Sequence, residues 1–483
     1  MVQLNPNFIK HISDELPKHL SLDEFIAICD KPLRKSIRVN TLKITSAEFV
    51  QLMLHKGWQF DPIPWCDDGF WINVDDEQQL GNLVEHIQGL FYIQEASSML
   101  PPTALFDGIL LPELILDVAS APGSKTTQIA ALMHNKGLLV ANEYSASRVK
   151  VLHANVLRMG ASNVALTHFD GRVFGEYMYD TFDAILLDAP CGGEGTVRKD
   201  ANALKNWNIN DVTAIADTQK DLIEAAFLAL KTGGTLVYST CTLSQLENQH
   251  ICYHLQQTYP DAVEFVPLND LFPNAQAACT PEGFLHVWPQ IFDSEGFFVA
   301  KIRKKAPIER IKKQPKLQKN FPFSPIADKQ IEALKDYLLS HFDISLPNDA
   351  IVMQRDDEFW LFPNQFMPMV GKMRFQRIGL KLADALKKGF KVRHEAIIAL
   401  VGSTLNNQNC IELTSLQAQQ FLMGRDIETA SFSPERQQWL NQHAHGEMLV
   451  SHHQCALGVV KHLGHRLKNN LPRELVRDKV AYT

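Results

Sequence analysis

A chain of 483 residues is too long for one core, and about three domains are expected. Hydrophobic content of 45% and charged content of 21% fit a globular protein and exclude a disordered or fibrous one. The net charge of −7 hides a split: residues 1–300 carry 19 Lys and Arg against 36 Asp and Glu, whereas residues 301–483 carry 28 against 18. A C-terminal part of that sign is suited to a polyanion.

The N-terminus lacks the charged and apolar regions of a secretory signal. No apolar run approaches the roughly 20 residues of a membrane span. A cytoplasmic protein with reduced thiols and no membrane contact is therefore expected. The eight cysteines form no C-x-x-C pair, so no metal site is expected.

The first hundred residues mix helix and strand signals. Pro6 to Leu20 reads as a helix, and Ser21 to Glu24 as a capping box opening another. Lys31 to Asn40 is basic and ends in a strand-like alternation. Arg38 and Asn40 are candidates for gripping phosphate or sugar, or are simply solvated strand residues. Gln94 to Met99 opens a helix into the next unit. The divisions read as an N-terminal extension over 1–100, a central unit over 101–305, a basic linker over 306–322, a small α+β unit over 323–388 and a last unit over 389–483.

Between about 112 and 303 apolar runs alternate with helical stretches. The strands are Leu114–Val118, Gly137–Glu143, Val164–Thr167, Phe182–Asp188, the run from Gly233 to Cys241, and Gly296–Ile302. Helices fall at Lys125–Met133, Ser145–Met159 and Asp217–Leu230. That alternation predicts parallel βαβ units in an α/β sheet. Nine basic residues between 301 and 319 stand against one acid, Glu309, and mark a tether that could touch phosphates. The last unit contains short strands and a second basic stretch from Lys461 to Lys479. Its histidines, His443, His445, His452, His453, His462 and His465, invite a metal reading. No acid or cysteine at a suitable spacing completes one, so they read as surface or satisfied residues, and Cys455 as a core filler.

Asp117-Val118-Ala119-Ser120-Ala121-Pro122-Gly123-Ser124-Lys125-Thr126 is a strand, a tight turn and a helix start. Helix N-termini offer free N–H groups to anions. The nucleotide-triphosphate loop pattern fails here, because Ala119 and Ser124 stand where its glycines belong. The same turn suits the carboxylate end of S-adenosylmethionine. Glu143 closes the second strand, where an acid meets ribose hydroxyls in dinucleotide folds. Asp170 closes the third and is a candidate acceptor for an adenine amino group.

Asp188-Ala189-Pro190-Cys191-Gly192-Gly193-Glu194-Gly195-Thr196 puts an acid, a thiol and three glycines at one strand end. Ser239-Thr240-Cys241-Thr242 puts a second thiol at another. Strand ends are where open α/β sheets hold their chemistry. A cytosine ring is not nucleophilic at carbon 5 until a thiolate adds to carbon 6. Proton transfer must follow. Asp188 is placed to bond the ring nitrogen and exocyclic amine. Lys125 is placed to organise the site or favour a thiolate. On chemistry alone either cysteine is a competent nucleophile.

These segments, with Arg38-Val39-Asn40-Thr41 and Gln94 to Ser98, resemble the RNA cytosine-carbon-5 methyltransferase family (the RsmB/NOP/NSUN class) over about residues 30–303. The length and C-terminal units are most similar to its bacterial RsmF type. The resemblance implies a Rossmann-like class I S-adenosylmethionine-dependent methyltransferase sheet with an N-terminal α+β extension and C-terminal α/β and PUA-like RNA-binding domains. It implies Cys241 as nucleophile, with Cys191 assisting product release. It implies cofactor contacts from Ala119, Ser120, Ala121, Pro122, Gly123, Ser124, Lys125, Glu143, Asp170 and Asp188. The target it implies is one cytosine of small-subunit (16S) ribosomal RNA, cytosine 1407, with the small ribosomal subunit as partner and the enzyme as a monomer. A transfer RNA target, or a non-catalytic ribosome-assembly factor, are the competing readings.

Overall fold

The computed structural model describes residues 4–75, 78–109, 112–310, 312–401, 409–442 and 446–481. Four sheets follow one another along the chain. The first is antiparallel: β1 (Ser36–Val39), β2 (Gln59–Ile63), β3 (Cys66–Asn73) and β4 (Phe91–Ile93) lie in the order β2-β3-β1-β4. Ile37, Val39, Phe49, Trp58 and Phe91 bury one face of it.

The second sheet carries the site. Its strands are β5 (Leu114–Asp117), β6 (Leu138–Asn142), β7 (Val164–Thr167), β8 (Phe182–Asp188), β9 (Leu230–Thr240), β10 (Val263–Val266), β11 (Leu285–Val287) and β12 (Phe297–Lys304). The order is β10-β12-β9-β8-β5-β6-β7, with β11 also on β12. β5 to β9 are parallel, as the alternation of strands and helices predicts. β12 runs antiparallel to β9, β10 and β11, so the sheet is mixed rather than all parallel. Both faces are buried, which is why these strands are continuous apolar runs. Ile115 packs with Ile129 and Leu152 on one face, and Leu116 with Ile223 and Phe227 on the other.

A third, antiparallel sheet spans Ser324 to Val392, with the helix Asp328–Phe342 packed into its core. Its strand Phe390–Val392 pairs with Leu380–Ala385, so it continues past residue 388. The fourth sheet runs from Cys410 to Asn469 and contains the hairpin Gly446–His452/Cys455–His462. The units are sewn together by backbone. Gln376 and Arg377 bond Leu166 at the β7 edge, and Ala481 returns to bond Asn82 and Val84 of the N-terminal domain. Among the described residues no helix is long and apolar enough to cross a membrane.

Several expectations are corrected. Arg38 and Asn40 are 2% and 0% exposed, and neither is free to grip RNA. Arg38 donates to Gln94 and Thr127, and Asn40 to the carbonyls of Gly89 and Met159, so both tie the N-terminal sheet to the catalytic unit. Lys301 and Lys304 belong to β12 and are buried, not part of a solvated tether. The first helix ends at Glu15 rather than Leu20, and the helix before β9 starts at Ile209 rather than Asp217. Asn208 caps the latter through its side chain on Asp211 N. Of the two readings of the C-terminal histidines, surface or satisfied, burial of His452 and His462 removes the surface one for these two. His443 and His445 lie outside the described residues.

Candidate active site

β8 and β9 are neighbouring parallel strands, with Asp188 opposite Ser239 in register. The chain leaves both strands at the same edge, so Cys191 and Cys241 emerge side by side. Their sulfurs are 3.3 Å apart, and both are partly exposed. Each thiol sits three residues or fewer from a rigid strand end, which fixes their separation.

The turn after β5 lies beside them. Gly123 takes φ 111°, a left-handed conformation favoured by glycine, and the helix Ser124–Leu132 begins at once. The Ala121–Pro122 peptide is cis. Lys125, from the first turn of this helix, reaches Asp188 Oδ2 at 2.8 Å, and Ser239 donates to Asp188 Oδ1 at 2.8 Å. Burial disfavours the charge on Lys125, but Asp188 outweighs it, and the ammonium is held above its ordinary range. The interaction of Cys191 with Cys241, followed by burial, pushes the Cys191 thiol far up, so Cys191 is held as a thiol.

Glu143 is buried at the end of β6. Its oxygens accept from Ala121 N and Ser145 N, which ties the turn to the next strand end. Asp170, at the end of the loop after β7, is engaged through both oxygens by Arg172. That pairing holds its carboxyl below the usual range. Asp117 is fully buried beneath the turn. Thr126 donates to its Oδ2, while Oδ1 has no partner among the described residues. Burial pushes this carboxyl up to about 7.

Three functional candidates escaped the sequence reading. Glu247 Oε2 accepts from Gly192 N and Gln219 Nε2, and its Oε1 lies 3.3 Å from Thr242 Oγ1. Glu194 Oε2 accepts from Thr242 Oγ1 and Leu243 N, and Oε1 from Trp207 Nε1. Thr242 therefore bridges two buried acids directly behind the thiols. The available signal was an acid near each cysteine, three residues after Cys191 inside its motif and six after Cys241 beyond its motif.

The arrangement joins the strand-end acids Glu143 and Asp170, the N-terminus of the helix Ser124–Leu132, and a thiol pair with a lysine–aspartate couple. Comparison with known proteins decides the family. Residues 111–303 match the 16S rRNA methyltransferase RsmB/F family, and residues 4–96 the N-terminal domain of 16S rRNA methyltransferase RsmF. Residues 323–400 match the pre-PUA domain of ribosomal RNA small subunit methyltransferase F, and residues 408–477 the RsmF PUA domain. A ribosomal RNA small subunit methyltransferase F from Shewanella frigidimarina is 73% identical over 480 residues, 99% of both chains. The chain belongs to the ribosomal RNA small subunit methyltransferase F family.

The Shewanella denitrificans member of the ribosomal RNA small subunit methyltransferase F family is 66% identical over the whole of both chains. A methyltransferase homologue from Pyrococcus horikoshii is 33% identical, with a TM-score of 0.50 over 62% of this chain and all of its own. NSun6 from the same organism, at 22% identity and TM-score 0.55 over 62% of this chain and 98% of its own, shares the fold. The family and its mixed sheet are those of S-adenosylmethionine-dependent methyltransferases. The C-terminal unit is a PUA domain, a fold class the sequence reading reached by resemblance.

Proposed function

We propose that the chain methylates carbon 5 of one cytosine in small-subunit (16S) ribosomal RNA through a covalent Cys241 adduct. The observation that carries this reading is the thiol pair, 3.3 Å apart and beside the turn Ala119–Lys125. Family resemblance directs it to cytosine 1407 near the decoding centre, acted on by a monomer in the context of the small subunit.

The unpaired Asp117 Oδ1 and the N-terminus of the helix Ser124–Leu132, which has no side-chain cap, fit the polar end of S-adenosylmethionine, and Glu143 and Asp170 its adenosine. S-adenosylmethionine supplies an electrophilic methyl group. The Cys241 thiolate gives its electron pair to carbon 6 of the cytosine, which makes carbon 5 nucleophilic. Asp188, fixed by Lys125, accepts from the exocyclic amine and from the ring nitrogen once the adduct protonates it. After carbon 5 is alkylated, a base takes its proton. The released pair restores the 5,6 double bond and expels the Cys241 thiolate, with Cys191 assisting that release. The target base must be flipped or single-stranded to reach both sulfurs.

Bisulfite mapping of RNA from a deletion strain, with and without complementation, tests the target. Loss of one cytosine methylation in 16S ribosomal RNA is expected, and loss of none would sink the proposal. Cys241→Ala should abolish methyl transfer. Cys191→Ser should accumulate a protein–RNA adduct that migrates slowly on a denaturing gel. Normal turnover by Cys191→Ser without adduct would remove Cys191 from product release.

A further inference from the structure

Glu85, in the helix Val84–Ile87 of the N-terminal domain, is 0% exposed. It faces the tip of the hairpin Gly446–His452/Cys455–His462 in the PUA domain, where His452 and His453 stand. One ligand atom from each of Glu85, His452 and His453 lies within 4.8 Å of the other two. The acid that the histidine cluster lacks in sequence comes from 368 positions away, where no spacing rule would place it.

Two buried polar atoms at this junction, on Glu85 and His452, have no hydrogen-bond partner among the described residues. His452 Nδ1 is 2.9 Å from the Leu413 carbonyl, which only accepts. Nδ1 therefore carries the proton in the neutral ring, and Nε2 presents a lone pair. His452 is 3% exposed, and its Nε2 has no partner among the described residues. Glu85 Oε2 is equally buried and equally unpartnered. His453 Nε2 lies 3.3 Å from Glu85 Oε1, and the two imidazole ring centroids are 3.7 Å apart with the planes tilted by 40°. Two buried acceptors and a second imidazole thus converge.

Their surroundings resemble the outer shell of a metal centre. A metal-ligating histidine usually donates its other N–H to a carbonyl, as His452 does to Leu413. Ligating carboxylates are themselves hydrogen-bonded, and Lys56 holds Glu85 through Oε1, leaving Oε2 free. The hairpin is seated by Gln88, which donates to the carbonyls of His452 and Cys455. His453 and Gln454 both take positive φ, 53° and 59°, in a two-residue turn that Asn and Gly suit better. That turn presents both imidazoles to one point.

We propose that Glu85, His452 and His453 bind one divalent transition-metal ion of the zinc class, which staples the N-terminal domain to the PUA hairpin. Two imidazoles and one carboxylate select zinc, nickel, cobalt or copper over magnesium or calcium. The ligand atoms already lie within 4.8 Å of one another, and side-chain rotation must bring each to about 2 Å from the ion.

The test is zinc titration of the chelator-treated full chain by calorimetry, with cobalt(II) absorption as a second reading. One equivalent of zinc should bind, and thermal unfolding should shift upward. Glu85→Gln and His453→Asn should each weaken binding by roughly 10-fold to 100-fold. Asparagine suits the left-handed turn position, so His453→Asn keeps the hairpin even if Glu85→Gln unsettles Lys56. Bound cobalt should lack the strong charge-transfer band of thiolate ligands, which separates this site from Cys191 and Cys241. No stoichiometric zinc, unchanged affinity in His453→Asn, or a thiolate band would overturn the proposal. The first of these would leave a bridging water at the junction.

Discussion

Thr242 carries one hydroxyl proton but stands between two carboxyl groups, 2.9 Å from Glu194 and 3.3 Å from Glu247. It can donate to only one, so the other must bring its own proton. Burial pushes the Glu247 carboxyl up to about 7; the Gly192 N–H opposes this, while the charge of Glu194 adds to it. Glu247 is therefore the protonated member, donating to Thr242, which donates to Glu194. Through Gly192 and Thr242 it grips the residue after each cysteine, which makes it a positioning residue. Its folded value lies above the ordinary 4.5, so the proton favours the folded state. That contribution is complete below about pH 4.5 and is lost as pH rises through about 7. Glu247→Gln mimics the protonated acid and should gain on wild type by up to roughly 3 kcal/mol over this range. Urea midpoints at about pH 5 and about pH 8 measure the gain, and a pH-independent difference would refute the assignment. Glu247→Gln should keep methyl transfer within about tenfold, whereas Glu247→Ala, with no group to hold either loop, should lose roughly a hundredfold. Cys191 was legible in sequence because Pro190 and Gly192 frame it at a strand end, and Cys241 because it follows the apolar run Thr235 to Tyr238. Glu247 was not, because an acid six residues past a cysteine shows neither its burial nor its proton.

At the scale of elements, the site depends on a crossing of two glycines. Gly195 N donates to the Cys241 carbonyl at 2.9 Å, and Gly296 N to the Gly195 carbonyl at 3.0 Å. A Cβ on Gly195 would fall 2.0 Å from the Gly296 carbonyl oxygen. Gly195→Ala must therefore push the Cys191 loop away from the segment leading into β12. A stability loss of about 3 kcal/mol is expected, with methyl transfer down roughly a hundredfold because the Cys241 carbonyl loses its anchor. Denaturant titration and tritium-methyl transfer on the same preparation separate the two effects, and wild-type values for both would refute the crossing's role. The strands of this sheet were legible as apolar runs bounded by glycine. The direction of β12 was not, since a run of side chains does not encode whether its partner is parallel. Composition also misassigned Lys304, which buries its stem and donates to the carbonyls of Phe227 and Leu230 near the end of the helix Ile209–Ala229. Arg38 and Asn40 failed for a related reason. Their partners lie in Gln94, Thr127 and Met159, and a long-range partner leaves no local pattern.

For the whole molecule, the charge split survives the correction of individual lysines. Residues 301–483 still hold ten more basic than acidic side chains. In the PUA domain Lys461 and Lys468 face each other directly on adjacent strands, and both are exposed. Like charges placed opposite one another are destabilising. Glu447 lies across from Lys461 on the other side, whereas Arg466 near by is already paired with Asp426. Lys468 is thus an exposed cation set against another cation, on the domain whose family binds RNA, and a phosphate between the two strands would relieve both. Lys468→Ala should weaken RNA binding a few-fold and reduce the slope of log affinity against log salt by about 1. Thermal stability should hold or rise, because the repulsion is removed. Anisotropy titrations of a 16S ribosomal RNA fragment across a potassium chloride series provide the slope. A slope unchanged from wild type would show that the polyanion lies elsewhere on the basic half of the chain.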